Sequence, residues 1–244
     1  MSVREAVLAI DGPAGSGKST VAQEVARRAG LQFISSGALY RAVALRALRA
    51  GVPATDRARL IELAETLRMR FTTDPDGKIR AFLDGEEVTE ALRQPGVEQI
   101  ASTLAMIPEL RAHIVDRLRD YGREGGIIME GRDIQTVVFP DADIKIFLTA
   151  SDEERARRRW KEITANGETL SYNQILANVR ARDRRDEERA ASPLRAAPDA
   201  VHIDTDKMTI DQVVHCVLHI IDIWHANPDL HGADLARAAG VVKE

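Results

Sequence analysis

Residues 12–19 read Gly-Pro-Ala-Gly-Ser-Gly-Lys-Ser, and no other stretch constrains the fold so tightly. The octapeptide satisfies G-x-x-x-x-G-K-[ST] and stands in the setting that pattern requires. Before it, Val7–Ile10 is a short apolar run that reads as a buried strand. After it, Val21, Val25 and Ala29 recur at helical spacing over Ser19–Ala29, and Gly30 ends the run. Glycines let the backbone curl until successive N–H groups point inward as an anion nest. The opening of the helix adds free N–H groups and the positive end of its dipole. The Lys18 ammonium suits the β- and γ-phosphates of a nucleoside triphosphate, and the Ser19 hydroxyl suits Mg²⁺. Gly12, Pro13, Ala14, Gly15, Ser16, Gly17, Lys18, Ser19 and the adjoining Thr20 are therefore the candidate triphosphate-binding residues.

Further along, short apolar runs alternate with helical patterns. Gln32–Ser35, Ile127–Met129, Ile144–Leu148 and Val201–Ile203 read as strands, and Ala38–Ala50 reads as a helix stopped by Gly51 and Pro53. Strands separated by helices imply parallel crossovers and an open sheet with both faces covered. The expected fold is an α/β three-layer sandwich of about five parallel strands, built around a phosphate-binding P-loop. Residues 68–88 break that rhythm: Arg68–Thr73 and Lys78–Leu83 flank Asp74-Pro75-Asp76-Gly77, a hairpin signal. The hairpin reads as part of an insertion near 66–106 within a domain spanning 1–226. Helices follow at Pro95–Ala105 and Pro108–Tyr121, and an arginine-dense helical stretch covers 152–192. The tail 227–244, with Pro228 and Gly232 and little bulk, is expected to pack loosely.

A net charge of −4 gives no global field toward nucleic acid or membrane. The lone Cys216 excludes an intramolecular disulfide and fits a reducing compartment, and the opening apolar run is too short for a signal peptide or span. A cytoplasmic monomer is expected. His215, Cys216 and His219 resemble a metal cluster only superficially. Thr209 and Gln212 have capping-box spacing, and Val213, Val214, Val217, Leu218, Ile221 and Trp224 form the apolar face of a helix. Its wet face carries Asp211, His215, His219 and Asp222. The arginines at 155–159 lie among acids without aromatic interleaving, which argues against nucleic acid.

Four more segments narrow the class: Ser36-Gly37-Ala38-Leu39-Tyr40-Arg41; Glu130-Gly131-Arg132-Asp133 before Thr136–Ala142; Glu153–Arg159; and Arg182–Arg189 before Ser192-Pro193-Leu194. The carboxyl ends of parallel strands face the ligand crevice, which places the first two segments over the phosphate loop. Taken in order with Ile10–Thr20, they resemble the bacterial cytidylate kinases from about Val7 to Asp204. That resemblance implies transfer of the ATP γ-phosphoryl group to CMP or dCMP, with Mg²⁺. It implies that Arg41, Arg132 and Arg189 surround the acceptor phosphate, a role suited to a planar, permanently charged fork. By the same resemblance Ser36, Ser102, Arg111 and Asp133 line the cytosine pocket, and Arg182 and Asp186 meet the ribose. The resemblance also implies that Arg155, Arg158 and Arg159 fall in a lid over the donor phosphates; read as a helix alone, they belong to a salt-bridged face with Glu153–Arg157 and Glu154–Arg158 pairs.

Two positions depart from that family's pattern. Ser35 stands where Asp or a similar polar residue is usual, and Gln135 stands where glycine is usual. A side chain at 135 is expected to crowd the loop after Asp133 or to demand a different φ/ψ. The alternatives left open are a P-loop kinase for UMP, dTMP or AMP, and an ATP-gated regulator that is not a kinase.

Overall fold

The computed structural model describes residues 3–241 apart from 75, 166–168 and 190. Pro75 of the hairpin turn and the last three residues of the tail thus lie outside the described residues. The chain divides into two compact units, Met1–Leu31 with Gly125–Glu244, and Gln32–Glu124.

The main sheet has five strands: β1 (Val7–Asp11), β2 (Gln32–Ser35), β6 (Ile127–Gly131), β7 (Ile144–Thr149) and β8 (Val201–Asp204), in the order β2-β6-β1-β7-β8. The intervening β3 (Met69–Thr73), β4 (Ile79–Leu83) and β5 (Glu86–Glu87) form a separate antiparallel sheet. Pairings of β1 with β6 and β7, and of β7 with β8, are parallel. Central strand β1 is all but wholly buried, as its unbroken apolar run requires. The expected α/β fold with a parallel sheet of about five strands is therefore present.

In the first unit α1 (Lys18–Ala29) packs against β6, β1 and α8 (Ile210–Ala226). The capping box of α8 forms as its spacing predicts, with Val213, Val214, Val217, Ile221 and Trp224 buried and Asp211, His215, His219 and Asp222 exposed. Two arginine-rich helices, α6 (Asp152–Ala165) and α7 (Tyr172–Glu187), pack on each other around Ala156, Ile163 and Ile175. Residues 232–238 form α9 (Gly232–Ala238), whose Leu235 is buried and which packs on α8 and β8. No helix of the described residues is long and apolar enough to cross a membrane.

In the second unit α2 (Ser36–Arg49) starts two residues before the run that begins at Ala38. It packs on α3 (Arg57–Glu65), α4 (Pro95–Leu104) and α5 (Pro108–Tyr121). The α3 helix is capped by Asp56, which accepts from the Arg59 N–H at 3.1 Å. Only Leu60 and Ala64 of α3 are buried, a stripe too thin to stand out by periodicity. The hairpin closes through Asp74, whose N–H donates to Lys78 O and whose carbonyl accepts from Gly77.

Candidate active site

The phosphate loop leaves β1 beside β7. Gly12 sits at φ +148°, where a Cβ would lie 2.0 Å from the Leu148 carbonyl oxygen, so only glycine fits the entry. Gly17, at φ 90°, precedes α1 without a side-chain cap. The first amides of α1 therefore remain available to an anion. Lys18 is buried and turns back into the loop: its Nζ donates to Pro13 O at 2.7 Å and to Ser16 Oγ at 3.4 Å. Ser19 and Thr20 lie exposed in the first turn. A hydroxyl there is a hard oxygen donor of the kind Mg²⁺ takes, alongside phosphate and water.

Asp11, the last residue of β1, is completely buried. Its Oδ2 accepts from the Gln135 N–H at 2.9 Å, while Oδ1 is buried with no partner. Burial raises its pKa to about 7; the Gln135 and Ile134 amides and Lys18 oppose the shift, and Asp133 reinforces it. Burial likewise brings the Lys18 pKa down to about 7, aided by Arg132 and opposed by Glu130 and Asp11. A polyphosphate would favour the charged ammonium and reverse that shift.

The three arginines of α6 occupy different places. Arg155 is 3% exposed and backs the loop: Nη1 donates to Ala14 O at 3.0 Å, Nε to Ala150 O at 3.0 Å, and Nη2 meets Asp152 and Asp183 at 2.5 and 2.6 Å. Arg158 reaches Thr205 through Nη1 at 3.1 Å and Nη2 at 2.6 Å, with Nη1 3.9 Å from where a Gly17 Cβ would be. Thr205 also donates through Oγ1 toward Thr149 O and Ser16 O, which joins β7 and β8 to the loop. Arg159 is on the outer face, 2.9 Å from Glu162.

Past β6, Arg132 Nε meets Asp186 Oδ2 at 2.9 Å. Burial works against the Arg132 charge, but Asp186, Glu130 and Asp11 outweigh it and hold its pKa above the usual value. Burial would raise Asp186, yet Arg132, Arg189 and Arg182 hold it below the ordinary carboxylate range. Arg189 Nε donates to the Asp186 carbonyl at 3.2 Å. The structure thus gathers Arg132, Arg182, Asp186 and Arg189 into one charged cluster, with Asp133 buried one residue beyond Arg132.

Gln135 corrects the expectation of a crowded or strained loop. Among the described residues only Asp84 and Ser192 are non-glycines with positive φ, so the backbone at 135 needs no glycine. The side chain goes inward, where Nε2 donates to Ile146 O at 3.2 Å and Oε1 accepts from the Ala197 N–H at 3.0 Å.

In the second unit, Ser36 and Arg41 lie on α2, Ser102 on α4 and Arg111 on α5. A Cβ on Gly37 would stand 3.1 Å from Arg41 Nη1, so the bare first turn of α2 gives that guanidinium room. Arg111 is buried, donates to Ala105 O at 3.2 Å and lies 5.7 Å from the Tyr40 ring centroid. Asp11, Asp183 and Thr205 are not among the site residues expected from the sequence. Asp11 carried a signal, a carboxylate ending a buried strand beside a phosphate loop; the other two are legible only in three dimensions.

The family model described as Cytidylate kinase matches residues 8–223. A protein named cytidylate kinase from Pelotomaculum thermopropionicum is 48% identical over 211 residues, covering 86% of this chain and 93% of the relative. One of the same name from Desulfitobacterium hafniense is 44% identical over 88% of this chain and 92% of its own length. A Synechococcus protein named bifunctional pantoate ligase/cytidylate kinase is 47% identical over 86% of this chain, which spans 39% of that longer protein. With a buried loop lysine, a charged cluster past β6 and relatives matched over nearly their whole length, the chain belongs to the cytidylate kinase family.

Proposed function

We propose that this protein transfers the γ-phosphoryl group of ATP to the phosphate of CMP or dCMP, releasing ADP and CDP or dCDP. An acceptor phosphate oxygen forms the new bond to the γ-phosphorus. The bond from that phosphorus to the β–γ bridging oxygen breaks, and its electron pair leaves with ADP. The acceptor oxygen is already a nucleophile, so the work of the protein is alignment and charge neutralisation. The observation that carries this reading is the pairing, within one compact unit, of the Lys18 loop with the Arg132–Asp186 cluster.

Lys18 and the loop amides Gly12–Thr20 hold the donor phosphates in this reading, with Arg158, Arg159 and the loop-backing Arg155 adding charge from α6. Ser19 would hold Mg²⁺, which would supply counter-charge to the donor phosphates. Arg132 and Arg189 take the acceptor phosphate, Arg182 and Asp186 the ribose, and Asp133 the base. The family resemblance gives Ser36, Arg41, Ser102 and Arg111 to the same acceptor. Movement of α6 and α7 as a lid would keep water from competing for the phosphoryl group.

The test is a coupled assay of ADP release with ATP and each of CMP, dCMP, UMP, dTMP and AMP. CMP and dCMP are expected to drive turnover well above the others. Equal turnover with UMP would move the assignment to another monophosphate kinase, and ADP release independent of any acceptor would remove kinase activity altogether.

A further inference from the structure

We infer that Gln135 is a positioning residue for the acceptor: its buried amide holds the Arg132–Asp133 loop to the Asp186–Ala197 segment when a phosphate draws Arg132 away from Asp186. This inference rests on the function proposed above. Two cross-ties join the loop after β6 to the last turn of α7 and the chain that follows it. One is ionic, Arg132 Nε to Asp186 Oδ2 at 2.9 Å. The other is neutral, the Ala197 N–H to Gln135 Oε1 at 3.0 Å, with the same amide anchored on β7 through Nε2 to Ile146 O at 3.2 Å.

The two ties respond differently to ligand. An acceptor phosphate competes for the Arg132 guanidinium, so binding weakens the ionic tie at the moment the site must be ordered. The amide tie involves no charge and is sealed: Gln135 is 1% exposed, and Ile146 and Ala197 are buried. Asp186 is also fixed from behind, because its carbonyl accepts from the Leu194 N–H at 2.8 Å and from Arg189 Nε at 3.2 Å. The backbone N–H of Gln135 continues the chain of contacts to Asp11 Oδ2 at 2.9 Å, immediately before the phosphate loop. A glycine at 135 would offer that backbone bond and neither of the side-chain ones.

Gln135→Met keeps the volume and removes both amide bonds. Its KM for CMP is expected to rise about tenfold, the scale of losing buried neutral hydrogen bonds, with the ATP KM within about twofold of wild type. Gln135→Glu is the second variant. Its protonated acid can donate to Ile146 O and accept from the Ala197 N–H, whereas the ionised acid sets an oxygen against the Ile146 carbonyl. Its CMP KM relative to wild type is expected to fall toward one between pH 8.5 and 6. Asp11, which accepts from the Gln135 N–H, and the charges coupled to it or to Lys18 and Arg132, among them Asp133 and Glu130, lie near this loop, and the ratio to wild type removes their contribution. An unchanged CMP KM in Gln135→Met, a parallel rise in the ATP and CMP KM values, or a pH-independent defect in Gln135→Glu overturns the inference. Should Gln135→Met fail to fold, the pH series of Gln135→Glu carries the test by itself. A wild type that releases no ADP on adding CMP overturns the function and the inference together; a wild type that does, with Gln135→Met at its KM, overturns the inference alone.

Discussion

The Lys18 ammonium donates to the Pro13 carbonyl of its own loop at 2.7 Å. A carbonyl dipole is a modest partner for a buried cation, and burial with Arg132 nearby lowers the Lys18 pKa to about 7. Folding therefore holds a charge where water cannot solvate it well, beside a helix start whose first amides have no side-chain cap. In the proposed function the β- and γ-phosphates would supply what Pro13 does not. Preorganised charge of this kind is effective in phosphoryl transfer because little reorganisation remains when the bond breaks.

Lys18→Ala is expected to keep the fold and lose about 10²–10³-fold in kcat, the scale of removing one preorganised donor from a water-poor site. Circular dichroism and steady-state kinetics check it together. A folded variant with half the wild-type kcat would mean that the loop binds something other than the transferring phosphate.

The ligand-free protein should be least stable near pH 7 on account of Asp11 and Lys18. Asp11 titrates near 7 when folded against an ordinary value of 3.8, so between these values the folded state holds a proton the unfolded chain has lost, and stability falls as pH rises. Lys18 titrates near 7 against an ordinary value of 10.5, so above 7 the unfolded chain holds the extra proton and stability rises with pH. Each limb has a slope of about 1.4 kcal/mol per pH unit for a single proton. Urea denaturation from pH 5 to 9.5 reads the curve. Asp11→Asn should flatten the acid limb and Lys18→Met the alkaline one; a curve unaltered by either substitution rejects the assignment.

What was legible in the sequence was local. The phosphate loop is one continuous octapeptide whose glycines have backbone reasons, and the cap of α8 is spelled by Thr209 and Gln212. Short-range charge spacing was legible in part. Glu154 and Arg158 pair at 2.8 Å as spaced, but Arg157 turns to Glu154, and Glu153 pairs with Arg180 of α7 at 2.8 Å. Helical periodicity fixes which residues share a face, and tertiary packing then chooses among the charges available. Arg132 and Asp186 are 54 positions apart, and Gln135 and Ala197 are 62 apart. Nothing in the local pattern around Gln135 could reveal that its amide has two buried partners waiting, so a side chain read as an obstruction is a tie.

Arg155→Met should cost about 3–5 kcal/mol of stability, because it leaves the Asp183 carboxylate buried without its partner. Asp183 is 2.6 Å from Arg155 Nη2, and its Oδ1 is buried with no partner already. Adding Asp183→Leu removes the stranded charge, and replacing a buried ion pair by apolar groups is often close to neutral. The double variant should therefore recover much of the loss in a double-mutant cycle. If the two losses simply add, the pair is not the energetic unit that its geometry indicates.

Asp133 supplies the sharpest prediction about substrate choice. It is buried at the start of the turn after β6, and its carbonyl accepts from the Val137 and Val138 amides at 2.9 and 3.2 Å, which fixes the main chain that carries it. Cytosine carries an N4 amino donor where uracil carries the O4 acceptor. A carboxylate in the proposed role accepts from the first and repels the second, and in a desolvated site that repulsion contributes as much to specificity as the attraction. Sites built on such hydrogen bonds discriminate by up to about 10⁴-fold. Wild type is expected to show a strong kcat/KM preference for CMP over UMP. Asp133→Ala should shrink that preference chiefly by damaging CMP, with little change in the ATP KM, because the carboxylate is assigned to the acceptor base. Kinetics with both monophosphates on both proteins decide it. A variant that keeps full discrimination removes Asp133 from base reading, while CMP-dependent ADP release by the wild type would leave the kinase assignment in place.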